Sequence, residues 1–224
     1  TAVKDPNYIG VTTGGISGGT GNSIQIHSTG YNRNAFYVYQ QVYNAAGKPI
    51  EDTFVDRNQD GQITDKDLYR YKGPDAQVFL GFNSNVNYKK WNAGFVMRAS
   101  LGNYVYNNVA SSTGTLRNIF NPLNFLNNGS SDVLETNFSG AGTRYFKSDY
   151  YIQNGSFLKL DNVNVGYTVG KVFNNSGNLR INANAQNVFT VTKYTGIDPE
   201  ISGGIDNNFY PRPRTFVLGL SLGF

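Results

Sequence analysis

The sequence predicts an all-β protein: the C-terminal part of a large antiparallel transmembrane β-barrel with long extracellular loops. Three observations predict it. Apolar and polar residues alternate with period two over segments of roughly the 9 to 13 residues that a tilted membrane strand needs. The links between these segments are short at one end and long at the other. The chain ends on a strand, Arg214 to Phe224, in which every second residue is apolar.

The first segment runs from Gln77 to Tyr88, with Val78, Leu80, Phe82, Val86 and Tyr88 on one face and Ser84 the exception. Gln77, Asn83, Asn85 and Asn87 face the other way. Lys89-Lys90 makes a tight turn. Trp91, Ala93, Phe95, Met97, Ala99 and Leu101 then continue the apolar face, against Asn92, Gly94, Arg98, Ser100 and Gly102, with Val96 the exception. This is a hairpin with one apolar and one polar face. A third strand, Phe157 to Val169, changes apolar phase between Leu160 and Val163, which predicts a bulge near Asp161-Asn162. After a link from Gly170 to Gly177, Leu179, Ile181, Ala183 and Ala185 alternate with Arg180, Asn182, Asn184 and Gln186. Phe216, Leu218, Leu220, Leu222 and Phe224 form the last ridge. Links 89–90 and 170–177 are short; links 105–156 and 192–213 are long and rich in Asn, Gly and Ser. Short turns belong on the periplasmic side, which puts the C-terminus there.

Residues 1–76 are less regular. They read as the end of a preceding strand region plus an extracellular loop over 30–76, with a small hairpin of its own: Ala35 to Tyr43 and Pro49 to Val55 across the turn Asn44 to Gly47. Residues 77–224 carry the barrel strands.

Composition agrees. Charged residues make up 15% of the 224, against about a quarter in an average soluble domain. Gly, Asn, Ser, Thr and aromatics take their place, which favours strands and turns. There is no cysteine, so disulfide frameworks, zinc-thiolate sites and cysteine nucleophiles are excluded. Net charge is +4, but the bases are scattered and form no stripe that could follow a phosphate backbone, which argues against nucleic acid. No leader precedes Thr1, so an exported chain is expected to have been processed or to be part of a longer one.

One motif carries cation chemistry. Asp56, Asn58 and Asp60 stand at alternate positions before Gly61. Gln62 can offer its carbonyl, and Asp67 closes the loop at the twelfth place. Oxygen donors at this spacing wrap a hard cation, Ca²⁺ or alternatively Mg²⁺. Asp67 replaces the usual Glu, and flanking strands replace helices, so the expected role is to stiffen a loop. Catalysis has little support: His27 is the single histidine, next to the strand-like Ile24 and Ile26, and no nucleophile stands out, so no enzyme is expected. The run Gly14 to Gly21 has the glycines of a phosphate loop but not the lysine. Tyr88 and Trp91 fit an interfacial girdle, as do Phe189 and Tyr194 at the other side. Tyr145, Phe146, Tyr150, Tyr151, Phe209 and Tyr210 lie on long loops, where they either pack or stack on a ligand.

Several stretches resemble a known family. Gly155-Ser-Phe-Leu-Lys-Leu-Asp-Asn-Val-Asn-Val-Gly-Tyr167 is one, and Gln186 to Tyr194 with Gly196, Asp198, Pro199 and Glu200 is another. So are Tyr210-Pro-Arg-Pro-Arg-Thr-Phe216 through Phe224, the Asp56–Asp67 loop before a hairpin, and Gly14 to Asn22. Together they look like the C-terminal end of SusC/RagA-type TonB-dependent transporters of Bacteroidetes. The resemblance implies import of oligosaccharides or peptides across the outer membrane with a SusD-like surface lipoprotein. It also implies energy drawn from TonB through a plug that these residues do not include. Such barrels have roughly 22 strands, of which five or six are found here. An open sheet has two unpaired edges, which lipid does not tolerate. The remaining strands are therefore expected from an upstream chain or a second polypeptide. The alternative is a secreted Ca²⁺-dependent β-sandwich adhesin or lectin, which would share the alternation and the cation loop.

Overall fold

The computed structural model describes residues 10–16, 22–120, 128–174 and 176–223. Phe224 and residues 17–21 of the glycine-rich run lie outside the described residues. Chain order gives β1 (Thr12–Gly15), β2 (Ser23–Ile26), β3 (Ala35–Val38), β4 (Gln41–Tyr43), β5 (Pro49–Phe54) and β6 (Tyr69–Arg70). Next come β7 (Val78–Tyr88), β8 (Trp91–Leu101), β9 (Tyr104–Asn107) and the short helices α1 (Asn108–Thr113), α2 (Leu116–Ile119) and α3 (Asp132–Thr136). Last are β10 (Ile152–Asn154), β11 (Phe157–Val172), β12 (Gly177–Thr192), β13 (Ile205–Asp206) and β14 (Thr215–Gly223). No helix among the described residues is long and apolar enough to cross a membrane.

The chain divides into two compact units. One holds residues 76–102, 156–193 and 210–224; the other holds 1–75, 103–155 and 194–209. Residue 76 is thus one of several crossings between them, because the long links belong with the N-terminal part.

The strand unit is a single antiparallel sheet in the order β14-β12-β11-β8-β7. Its register explains the alternation. Val86, Ala93, Val165, Ala183 and Leu218 sit opposite one another across all five strands. The next apolar row is Tyr88, Trp91, Tyr167, Ile181 and Leu220. Between them lies the polar row Asn87, Asn92, Gly166, Asn182 and Gly219. Glycine stands where a neighbouring asparagine folds across: a Cβ on Gly166 would clash with the Asn92 amide oxygen. A one-residue slip would exchange the two faces, so this pattern fixes the register.

The bulge falls where the phase change predicts it. Leu160 pairs with Met97 and Asn162 with Val96, leaving Asp161 unpaired in the ladder. The extra residue keeps Leu158, Leu160, Val163 and Val165 in line with Ala99, Met97, Phe95 and Ala93. It also turns the Asp161 carboxylate to Arg98, whose Nε lies at 2.6 Å. The link after β11 is shorter than the sequence suggests. A second register shift between Thr168 and Gly170 carries the strand on to Val172, and the next strand begins at Gly177.

The other unit contains three small sheets, β1-β2-β3-β6, β10-β9-β13 and β4-β5. The expected strand from Ala35 to Tyr43 is two strands. Only β4 pairs with β5 across the Asn44 turn, while β3 joins β2 and β6. The core of the unit gathers Ile24, Phe36, Val38, Tyr106, Phe138, Tyr151 and Ile152. Tyr145, Phe146 and Tyr150 pack against it. These loop aromatics are therefore packing residues, whereas Phe209 and Tyr210 are exposed.

Candidate functional site

The Asp56–Asp67 loop leaves β5 and ends in a single 3-10 turn, Asp65–Asp67. Thr64 caps that turn in a capping box with Asp67. The loop is curled by its own carboxylates. Asp56 accepts from the amides of Gln59 and Gly61, each at 2.7 Å. Asn58 Oδ1 accepts from Asp60 N at 3.0 Å, and Asp60 Oδ1 from Gln62 N at 2.9 Å. Asn58 Nδ2 donates to Asp60 Oδ2 at 2.9 Å. Gly61 holds φ at 79°, a left-handed turn that suits glycine.

Asp67 is the fixed point. It is fully buried, and its carboxylate accepts from Thr64 N at 2.8 Å, Arg57 N at 2.9 Å and Asn58 N at 3.3 Å. The Thr64 amide first, then those of Arg57 and Asn58 and the neighbouring Asp56 side chain, hold its carboxyl below the usual carboxylate range. It thus remains an anion against the cost of burial. The loop is tied outward by Tyr39, whose hydroxyl donates to Asp65 at 3.0 Å, and by the Arg144 guanidinium, which donates to the Ile63 carbonyl. The five expected ligand residues lie on one loop. Among the described residues, no group of three or more His, Asp or Glu is arranged to hold a metal ion. The donors are nevertheless all oxygen, which is the chemistry of Ca²⁺ or Mg²⁺.

His27 follows β2, is exposed and shares a hydrogen bond with Asn34. Trp91 packs against Tyr167 with ring centroids 4.7 Å apart and planes inclined at 50°, at the end of the sheet where Tyr88 and Trp91 flank the turn. Tyr194 departs from the girdle expectation. It is buried, and its hydroxyl donates to Asp206 at 2.6 Å within the loop unit.

No sequence motif marks the cavities of the loop unit. A space of about 400 Å³ in the loop unit is lined by Asn107, Asp132, Glu135, Thr195, Asp206 and Asn208. Burial raises the Asp132 carboxyl above its ordinary value, against the Tyr150 hydroxyl that donates to it at 3.0 Å. These residues come from four separate stretches of the chain, so no local motif announces them.

A sheet with an exposed apolar face, a polar opposite face and short turns at one end defines this unit as strands of an outer-membrane β-barrel. The comparisons give the particular family. The chain is 42% identical over its whole length to the TonB-dependent receptor SusC of Bacteroides thetaiotaomicron, covering 23% of that protein. It is 27% identical over 79% of its length to the TonB-dependent receptor P3 of Formosa agariphila, covering 19% of that one. Its fold matches the RagAB peptide transporter with a TM-score of 0.68 at 24% identity, over 91% of this chain and 24% of the other. No protein-family model matches. The chain belongs to the SusC/RagA type of TonB-dependent outer-membrane proteins, as a C-terminal segment of the barrel. It spans about a quarter of the length of the relatives it matches.

Proposed function

We propose that the chain supplies C-terminal strands and extracellular loops to a TonB-dependent importer of oligosaccharides or peptides that works with a SusD-like surface lipoprotein. The observation that carries this is the 42% identity to SusC along the whole chain. The sheet supports it: among the described residues, β7 and β14 each have one edge without a partner strand. Lipid excludes such edges, so upstream strands, from the same chain or a second polypeptide, complete the barrel. The plug and its TonB contact come with those strands, and the C-terminus lies on the periplasmic side. Transport, not enzymatic turnover, is the activity. The polar face with Asn92, Asn164, Arg180, Asn182 and Asn184 lines the hydrated lumen.

The test is the native complex. Purified in detergent, it should contain the plug, the remaining strands and a surface lipoprotein, and cells lacking it should fail to take up one oligosaccharide or peptide class. A folded, isolated monomer of these 224 residues in lipid would sink the reading. The β-sandwich adhesin is disfavoured. A sandwich covers the apolar face of each sheet with another, yet Phe82, Phe216, Leu218 and Leu220 are 61–76% exposed.

The Asp56–Asp67 loop is read as a structural Ca²⁺ site, with Mg²⁺ the alternative. Asp56, Asn58, Asp60 and Asp67 would supply side-chain oxygens and Gln62 its carbonyl. Asp60→Ala should weaken cation affinity by about tenfold or more, since affinity follows the number of charged ligands. Metal analysis of the full-length protein checks this: equal content in both proteins would remove the assignment.

A further inference from the structure

The hairpin β4–β5 carries two neighbouring carboxylates, Glu51 and Asp52. Neighbours on a strand normally point to opposite faces. Here the Asp52 backbone is left-handed, with φ at 51°, and the β4–β5 register is broken between Gln41 and Tyr43. Both side chains therefore reach the same target, the segment 139–144.

Glu51 Oε2 accepts from Ser139 N at 2.7 Å and from Ser139 Oγ at 2.8 Å. Its Oε1 accepts from Gly140 N at 2.8 Å and Gly142 N at 3.4 Å. Asp52 accepts from Thr143 N at 2.8 Å and Arg144 N at 3.1 Å. The Ala141 amide goes to Ser139 Oγ at 3.1 Å. Every amide from 139 to 144 thus ends on a side-chain oxygen, and no helix or strand holds the segment. Gly140, with φ at 77°, lets the backbone wrap its N–H groups around one anion.

The segment is tied elsewhere by its carbonyls. Phe138 O and Ser139 O accept from Leu116 N at 2.8 Å and Arg117 N at 3.0 Å, at the start of α2. Arg144 reaches Ile63. A cavity of about 630 Å³ lies between the hairpin, α2 and α3, lined by Pro49, Leu116, Ile119, Phe120, Val133 and Leu134.

We propose that segment 139–144 is an anion-receiving loop filled in cis by Glu51 and Asp52, so that the two carboxylates act as a clasp fastening the hairpin to α2 across this cavity. The ligand class of the loop is a carboxylate. A carboxylate from solution can take the place of Glu51, and loss of the anion frees the loop.

Hydrogen exchange on the full-length protein in detergent tests this. Bonds from N–H to a charged acceptor are the strong kind, so Glu51→Ala should speed exchange of 139–142 by about tenfold to hundredfold. Glu51→Gln keeps the volume and one acceptor, and should give a smaller increase. Sodium formate or acetate should restore protection in Glu51→Ala, whereas sodium chloride should not. The β7–β8 hairpin should exchange as in wild type throughout. Unchanged exchange at 139–142, protection that neither carboxylate restores, or a rise that spreads to β7–β8 each overturns the proposal. Should Glu51→Ala fail to fold, unchanged exchange in Glu51→Gln overturns it equally.

Discussion

Replacing Leu218 by Arg should destabilise the folded barrel by about 2 to 4 kcal/mol, the cost of an arginine on the lipid face near the bilayer midplane. Leu218 lies mid-strand in β14 and is 76% exposed. Its row across the sheet, Val86, Ala93, Val165 and Ala183, offers no polar group to which a guanidinium could turn. The neighbouring Val217 is the control. It pairs with Asn184 on the polar face, where Val217→Arg should cost under about 1 kcal/mol because the lumen is hydrated. Urea unfolding of the full-length protein in lipid, followed by the mobility shift of folded against boiled samples, separates them. Equal losses at 217 and 218 would mean that the two faces are misassigned.

The strand unit was legible because its segments are long and one face of each is apolar. From Gln77 to Leu101, period two runs nearly unbroken through the turn, and the structure places the hairpin there. At Asp161 even the irregularity could be read, because one extra residue shifts every apolar residue after it. Beyond Thr168 the reading stopped early: Gly170, with φ at 104°, and a second register shift hide the pairing that continues to Val172. The loop unit was hardly legible. Its strands have two to six residues, too few for a period to show. What holds it is long in sequence: Tyr69 to Asp149, and Glu51 to Ser139 and Gly140. The cation motif is local and was visible, yet nothing in it announces that Asp67 is buried under three backbone amides. Tyr194 looked like a girdle residue because its partner, Asp206, lies across a turn-rich link that carries no pattern.

The loop unit should respond to Phe36→Ala with a loss of about 3 to 5 kcal/mol, the range for deleting a large aromatic from a packed interior. Phe36 is fully buried in β3, and its backbone pairs with Gln25 on one side and Lys72 and Tyr71 on the other. The chain around it cannot collapse into the space without giving up those bonds. A second substitution in the same core should have the opposite sign. Among the described residues the buried Tyr151 hydroxyl has no hydrogen-bond partner, and burial pushes its phenol far above the ordinary value. Removing an unsatisfied buried hydroxyl relieves its desolvation cost, so Tyr151→Phe should gain about 1 kcal/mol. Tyr106, whose ring meets Tyr151 edge-on with centroids 6.0 Å apart, donates its hydroxyl to the Phe146 carbonyl. Tyr106→Phe should therefore lose about 1 kcal/mol by leaving that carbonyl unpaired. Hydrogen exchange of β9 and β10 amides in the full-length protein reads all three. If Tyr151→Phe and Tyr106→Phe shifted stability in the same direction, ring packing alone would govern this core and the hydroxyl assignment would fail.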